Sequence, residues 1–127
     1  MTETIRRCDV LLVEDDVDLG ALMGSYLARG GLDVRMAHSG SSALRLLENV
    51  KPKVAVLDFR LPDTNGVELS QKIIQIVPGL QIIMMSGAIG SLEQALLEKI
   101  GVRVFVNKPV PLRSLLRAVV QLMQEHP

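Results

Sequence analysis

Aromatic residues are nearly missing from this 127-residue chain, which contains two Phe, one Tyr and no Trp. A hydrophobic core therefore has to be built from aliphatic side chains. These are plentiful, because apolar residues make up 48% of the chain. A chain of this length fits one domain that buries a core between two or three layers of secondary structure.

Three further absences exclude classes of protein. Lys plus Arg and Asp plus Glu both number 14, so the formal net charge is zero and nothing indicates binding to nucleic acid or to an anionic membrane. Cys8 is the only cysteine, which excludes an intrachain disulfide and indicates a reduced thiol. No apolar run approaches the ~18 residues of a membrane span. Residues 1–8 also lack the apolar core of a signal peptide. These absences predict a cytoplasmic protein.

Five short apolar runs alternate with five stretches of helical periodicity. The runs predict strands over 10–13, 32–36, 54–57, 80–85 and 102–106. The periodic stretches predict helices over 17–29, 39–49, 66–76, 91–100 and 111–125. Pro52 is expected to precede the third strand, and the alternating second strand is expected at an edge. Such alternation predicts a three-layer α/β fold, with helices on both faces of a parallel sheet.

Reactive side chains stand where the predicted strands end. They are Glu14, Asp15, Asp16, Asp58, Ser86 and Lys108. In open α/β sheets the carboxyl ends of the strands line the crevice that binds ligands. A strand-end Asp58 alone would be read as a residue that caps a turn. Its combination with the other strand ends predicts a functional site.

The charges of this group indicate its chemistry. Carboxylates 4 Å apart repel each other by about 1 kcal/mol in water and by severalfold more when they are partly buried. They therefore need a cation, and an all-oxygen ligand set suits Mg²⁺. A carboxylate also acts as a nucleophile that forms an aspartyl-phosphate. The cation and Lys108 would then neutralise the phosphoryl oxygens, while the Ser86 hydroxyl donates to one of them.

Four motifs around these strand ends are specific in combination. They are Val10-Leu11-Leu12-Val13-Glu14-Asp15-Asp16, Leu57-Asp58-Phe59-Arg60-Leu61-Pro62 with Asn65-Gly66, Met85-Ser86-Gly87, and Phe105-Val106-Asn107-Lys108-Pro109. Together they resemble the chemotaxis-type receiver domain of two-component response regulators. The resemblance covers residues 9–125, leaving 1–8 as a short N-terminal extension and no output domain in this chain. It implies a flavodoxin-like, doubly wound (βα)5 fold with strand order 2-1-3-4-5.

The resemblance also implies a function and a cation site. Asp58 would accept phosphate from a phosphohistidine on a histidine kinase or a histidine phosphotransfer protein. Phosphorylation would switch the conformation and the binding of an output protein that the sequence does not name. Mg²⁺ or Mn²⁺ would be held by Asp15, Asp58 and the backbone carbonyl of Arg60, with Glu14 assisting directly or through water.

Further roles are implied for the last two strand ends. Lys108 would sense the phosphoryl group, and Ser86 and Phe105 would act as switch residues. Asp16, Gly87 and Ala88 would be auxiliary residues beside the site. The resemblance also implies a cis peptide bond between Lys108 and Pro109.

Three consecutive acids compete for two family positions. A strand over 10–13 assigns the acidic pair to Glu14 and Asp15, so that Asp16 begins the loop into the first helix. The alternative pair is Asp15 and Asp16, which requires the strand to end at Glu14. We favour the first assignment, because Glu14 is less apt to be buried in a strand.

Two other functions share this layout. An aspartyl-phosphate phosphatase enzyme needs a second Asp two residues after the nucleophile, where this chain has Arg60. A flavin-binding electron carrier needs a Ser/Thr/Gly-rich phosphate loop where this chain has three acids. We therefore expect a signalling switch and not an enzyme acting on other substrates. Val102, Arg103 and Val104 replace the acids typical of dimerising receivers, so we expect a monomer or a weak, phosphorylation-dependent dimer.

Overall fold

The computed structural model describes residues 4–125, which form five strands and five helices in strict alternation. The strands are β1 (Arg6–Val13), β2 (Val34–Ala37), β3 (Val50–Asp58), β4 (Gln81–Ser86) and β5 (Val104–Asn107). The helices are α1 (Val17–Arg29), α2 (Gly40–Leu46), α3 (Gly66–Ile76), α4 (Ser91–Ile100) and α5 (Leu112–Glu125). All neighbouring strands pair in parallel, in the order β2-β1-β3-β4-β5. The predicted fold class and strand order are confirmed.

Helices cover both faces of the sheet. Side chains alternate between the two faces along each strand, so the apolar strands present apolar residues to both layers of helices. Leu11 and Leu57 pack on the face covered by α2, α3 and α4. Leu12 and Val56 pack on the opposite face, against α1 and α5. All four are fully buried, and burying a side chain of this size contributes about 1.5–3 kcal/mol. The central strands therefore read as uninterrupted apolar runs, as expected for a sheet buried on both faces.

Two strands extend beyond their predicted starts. β1 begins at Arg6, so residues 6–8 of the predicted extension lie in the sheet, while residues 1–3 lie outside the described residues. β3 begins at Val50 and includes Pro52, so the prediction that Pro52 precedes the strand is wrong. The first residues of β3 escaped the prediction because they are alternately buried and exposed, unlike the apolar run that follows. This part of β3 pairs only with β1. Proline is tolerated in a strand at such an edge-like position.

The remaining element boundaries differ little from the prediction. β5 begins at Val104 and α2 ends at Leu46, two and three residues inside their predicted limits, respectively. α3 spans Gly66–Ile76 as predicted. Within residues 4–125 no helix combines the length and the hydropathy of a membrane span.

Ser70 provides a test of the packing under α3. Its side chain is fully buried, and its hydroxyl has no hydrogen-bond partner among residues 4–125. We expect Ser70→Ala to raise the free energy of unfolding by about 1–2 kcal/mol, because it removes an unpaired buried polar group and adds helix propensity. Urea denaturation of both proteins measures the change. Ser25→Ala, on an exposed position of α1, is the matched control and should gain only a few tenths of a kcal/mol from propensity. A loss of stability in Ser70→Ala would contradict this account of the packing.

Candidate functional site

The parallel register brings the predicted strand-end residues to one edge of the sheet. Val13 pairs with Leu57, which places Glu14 beside Asp58 just past the end of that pairing. Asp58 in turn pairs with Met85, and Ser86 pairs with Asn107. Lys108 follows Asn107 directly, so the predicted group converges from four adjacent strands.

Lys108 links two buried carboxylates. Its Nζ donates to Glu14 Oε1 at 2.8 Å and to Asp58 Oδ2 at 2.9 Å. Glu14 has no exposed surface, and Asp58 is only 5% exposed. Burial alone would lower the pKa of Lys108, but the hydrogen bonds to Asp58 and Glu14 and their negative charges together outweigh it, so the pKa is raised. Lys108 is therefore held as a cation between two acids.

Glu14 is the most deeply buried acid of the site. Burial raises its pKa, and the hydrogen bonds from Lys108 and from the Asp16 backbone N–H oppose that rise only in part. The Asp16 N–H lies 3.2 Å from Glu14 Oε2. The nearby Asp58 carboxylate raises the pKa of Glu14 further. The site is thus short of positive charge, because one ammonium group faces two carboxylates.

A third carboxylate completes a cluster suited to a metal ion. Glu14, Asp15 and Asp58 each offer one carboxylate oxygen, and these three atoms lie within 4.8 Å of one another. Asp15 is exposed while the other two are buried, so the cluster opens to solvent on one side. Hard oxygen donors and an open side fit Mg²⁺, which retains water ligands. The donor set therefore suits the predicted cation.

Asp16 has a different position from its two neighbours. It is the N-cap of α1, and its Oδ1 accepts a hydrogen bond from the Leu19 backbone N–H at 3.0 Å. An N-cap carboxylate satisfies a free donor of the first helical turn. Of the three consecutive acids, Asp16 is the one whose carboxylate is engaged by the helix.

The loop after β3 approaches Asp58 through its backbone. The Arg60 N–H lies 3.3 Å from Asp58 Oδ1. The backbone of Arg60 also forms an isolated antiparallel β-bridge with Asn65 across the loop. The Arg60 side chain is exposed, and among residues 4–125 it forms no salt bridge. Its guanidinium group is therefore available to pair with an added anion.

Ser86 lies buried at the end of β4. Its hydroxyl accepts a hydrogen bond from the Ala88 backbone N–H at 3.1 Å, and its carbonyl accepts one from the Lys108 backbone N–H at 2.9 Å. Gly87 and Ala88 are exposed beside it. Phe105, one strand further along the sheet, is partly buried against the α2–α4 side of the core. The predicted cis bond between Lys108 and Pro109 is present.

Two side-chain contacts of this region are not predicted from the sequence. His38 Nδ1 donates to the Glu14 carbonyl at 2.8 Å and so holds the backbone beside the acidic cluster. Asp63 accepts hydrogen bonds from two N–H groups at the start of α2. The Asp63-Thr64-Asn65-Gly66 run signals a turn, but nothing local in the sequence indicates which partner Asp63 bonds.

The comparison with known families agrees with this geometry. The family model for the response regulator receiver domain matches residues 10–120. The chain belongs to the response regulator receiver family. Members of this family are signalling switches of two-component systems, and their receiver domains bind Mg²⁺ at an acidic pocket.

Solved structures of receivers superpose closely on this chain. A CheY-like receiver domain protein from Methanospirillum hungatei has a TM-score of 0.84 at 27% identity, with 96% of this chain and 99% of that chain covered. The non-phosphorylated HemR receiver domain from Leptospira biflexa has a TM-score of 0.82 at 30% identity, with 92% and 93% covered.

Curated relatives include much longer proteins. The transcriptional regulatory protein GlrR of Escherichia coli is 32% identical over 117 residues, which are 91% of this chain but 26% of that protein. The chain thus spans about a quarter of the length of that relative. A protein from Leptolyngbya boryana, described only by its size and gene position, is 30% identical over 94% of this chain and 92% of its own length.

Proposed function

We propose that this receiver takes a phosphoryl group from a phosphohistidine onto Asp58. The observation that carries the proposal is the position of Asp58, a nearly buried carboxylate at the end of the central strand. One of its oxygens bonds Lys108, and it belongs to the cluster with Glu14 and Asp15. The donor is a histidine kinase or a histidine phosphotransfer protein, as expected for this family.

The transfer is a displacement at phosphorus. An Asp58 carboxylate oxygen attacks the phosphorus atom, the new O–P bond forms, and the N–P bond of the phosphohistidine breaks. The leaving imidazole nitrogen keeps the electron pair and takes up a proton. The product is an aspartyl-phosphate, whose extra negative charge must be neutralised within the site.

The side chains around Asp58 supply that neutralisation. Lys108 already donates to Asp58 and moves from this carboxylate to a phosphoryl oxygen. The Ser86 hydroxyl turns from the Ala88 N–H to donate to another oxygen. Glu14, Asp15, Asp58 and the Arg60 carbonyl would hold Mg²⁺, and a bound Mg²⁺ would supply positive charge to neutralise phosphoryl oxygens.

Phosphorylation changes the contacts of the two switch residues. When the Ser86 hydroxyl bonds a phosphoryl oxygen, the Ser86 side chain moves inward and leaves space beside β5. Phe105, a residue of β5 that is half-buried against the core, rotates into the space. The altered surface then recruits an output protein. A phosphatase function is less well supported, because Arg60 replaces the second Asp that such an enzyme requires.

A small phosphodonor tests the proposal. The full chain is incubated with acetyl phosphate, with Mg²⁺ or with excess chelator, and its intact mass is recorded. We expect one added phosphoryl group with Mg²⁺ and little or none with chelator. An unchanged mass under both conditions would overturn the proposed function.

The acidic run provides a separate prediction for the cation. We expect Asp15→Ala to weaken Mg²⁺ binding at least about tenfold, because an oxygen donor of the cluster is lost. Asp16→Ala should keep the affinity near that of the wild type and instead lower the free energy of unfolding by about 1 kcal/mol through loss of the α1 cap. Isothermal titration with Mg²⁺ and urea denaturation measure the two effects. A larger loss of affinity in Asp16→Ala would show that the acidic pair is Asp15 and Asp16.

A further inference from the structure

A carboxylate outside the strand-end cluster ties the loop after β3 to helix α2. Asp63 Oδ1 accepts a hydrogen bond from the Gly40 backbone N–H at 2.9 Å, and Asp63 Oδ2 accepts one from the Ser41 N–H, also at 2.9 Å. Both donors lie in the first turn of α2, where a helix has no acceptor of its own for them. These two hydrogen bonds hold the pKa of Asp63 below its ordinary value. Asp63 is therefore a carboxylate that joins two separate elements.

Gly40 of α2 lies in close contact with the loop after β3. A Cβ at Gly40 would lie 2.5 Å from Thr64 Cγ2 and 3.3 Å from Asp63 Oδ1. Helix α2 is in turn fixed to the sheet by Ala43, which is fully buried, and by the nearly buried Leu47 that follows it. The loop therefore contacts a helix that is anchored on the core.

The same loop carries the backbone carbonyl of Arg60. Residues 59–66 are bonded to one another, since the Leu61 N–H donates to the Thr64 carbonyl at 3.2 Å and the Gly66 N–H donates to the Phe59 carbonyl at 2.7 Å. The backbone of Arg60 also forms a β-bridge with Asn65 within this loop. Asp63 and Arg60 therefore belong to one short loop that is hydrogen-bonded within itself.

We propose that Asp63 is a positioning residue of the phosphorylation site. Its bonds to Gly40 and Ser41 fix residues 59–66 against α2 and thereby hold the Arg60 carbonyl where the cation binds. The proposal rests on the proposed function, which assigns that carbonyl to Mg²⁺. It gives α2, which contributes no residue to the strand-end cluster, a part in shaping the cation site.

Helix α2 offers a matched control for a role in capping alone. Ser39 is its N-cap, and Ser39 Oγ accepts a hydrogen bond from the Ser42 N–H at 3.1 Å. This bond lies at the same end of the helix as the two bonds of Asp63. It does not reach the loop after β3. Ser39→Ala therefore weakens the start of α2 without releasing residues 59–66.

The experiment compares Mg²⁺ affinity by isothermal titration in full-length variants. We expect Asp63→Ala to bind Mg²⁺ about tenfold more weakly, at the lower end of the effect of removing a residue that orients metal ligands. Ser39→Ala should keep the wild-type affinity. Asp63→Asn retains one acceptor oxygen and should fall between Asp63→Ala and the wild type. Labelling by acetyl phosphate should slow in Asp63→Ala at low Mg²⁺ and recover at saturating Mg²⁺.

Gly40→Ala tests the same contact from the side of α2. Its added methyl group pushes Thr64 away, so weaker Mg²⁺ binding is expected there also, even if Asp63→Ala folds poorly. Wild-type affinity in both Asp63→Ala and Gly40→Ala would overturn the positioning role. A wild-type chain that binds no Mg²⁺ would instead overturn the proposed function, and this inference with it.

Discussion

Asp58→Asn is expected to lose all phosphorylation by acetyl phosphate while keeping the wild-type fold. The amide has no nucleophilic carboxylate oxygen to attack phosphorus. Its carbonyl oxygen still accepts a hydrogen bond from Lys108, and Glu14 still pairs with that lysine. The substitution also removes one of the crowded negative charges, so the protein should be at least as stable as the wild type. Intact mass after incubation measures the labelling, and a thermal melt confirms folding.

The matched control is Asp18→Asn. Asp18 is an exposed acid in the first turn of α1 and belongs to no metal cluster among residues 4–125. It should be labelled as fully as the wild type. A phosphoryl mass that persists in folded Asp58→Asn would show that another side chain is the acceptor.

The second large effect concerns the lifetime of the phosphorylated protein. Hydrolysis needs a water in line with the phosphorus, opposite Asp58. Arg60 is long, cationic and unpaired among the side chains of residues 4–125, so it is free to pair with phosphoryl oxygens and cover that approach. The side chain of Ala88 is only a methyl group, which offers no hydrogen bond to orient a water. Both features predict slow self-dephosphorylation.

We therefore expect faster decay in two variants. Arg60→Ala uncovers the phosphorus, and Ala88→Glu adds a carboxylate that orients a water, each with an expected effect of about tenfold. Decay is followed by intact mass after the phosphodonor is removed, with Arg29→Ala as the control because Arg29 is exposed at the far end of α1.

The alternative role for Arg60 is to accelerate hydrolysis. An arginine that pairs mainly with transition-state charge accelerates hydrolysis, as an arginine finger does. We expect shielding instead, because Arg60 would gain most of its pairing in the phosphorylated ground state and so lower both energy levels. Slower decay in Arg60→Ala would show that the arginine is catalytic.

The fold was predictable wherever burial on both faces leaves an uninterrupted apolar run. Residues 54–57 are fully buried and were recognised as a strand. Val50 to Lys53 belong to the same strand but alternate between buried and exposed, with a proline among them. The sequence of this segment resembles that of a loop. It becomes a strand by pairing with β1, whose residues are far away in the chain, so no local pattern indicates it.

The candidate site was predictable from the chain because strand ends meet at one edge of a parallel sheet. What escaped prediction are side-chain partners far apart in sequence. Asp63 bonds residues 22 and 23 positions away, and His38 bonds Glu14 across 24 positions. Their donors and acceptors are common residue types, so only the tertiary placement of α2 and β2 selects the pairs. Asp16 is the opposite case, since an acid directly before a helix is a local sign of an N-cap.

The most direct test locates the phosphoryl group on the chain. The wild-type protein is phosphorylated with acetyl phosphate and Mg²⁺ and treated at once with borohydride, which reduces an acyl phosphate to an alcohol. Peptide mass spectrometry then identifies the reduced residue. We expect homoserine at position 58 and at no other acid. Reduction at Asp15, Asp16 or Asp63 with Asp58 intact would contradict it.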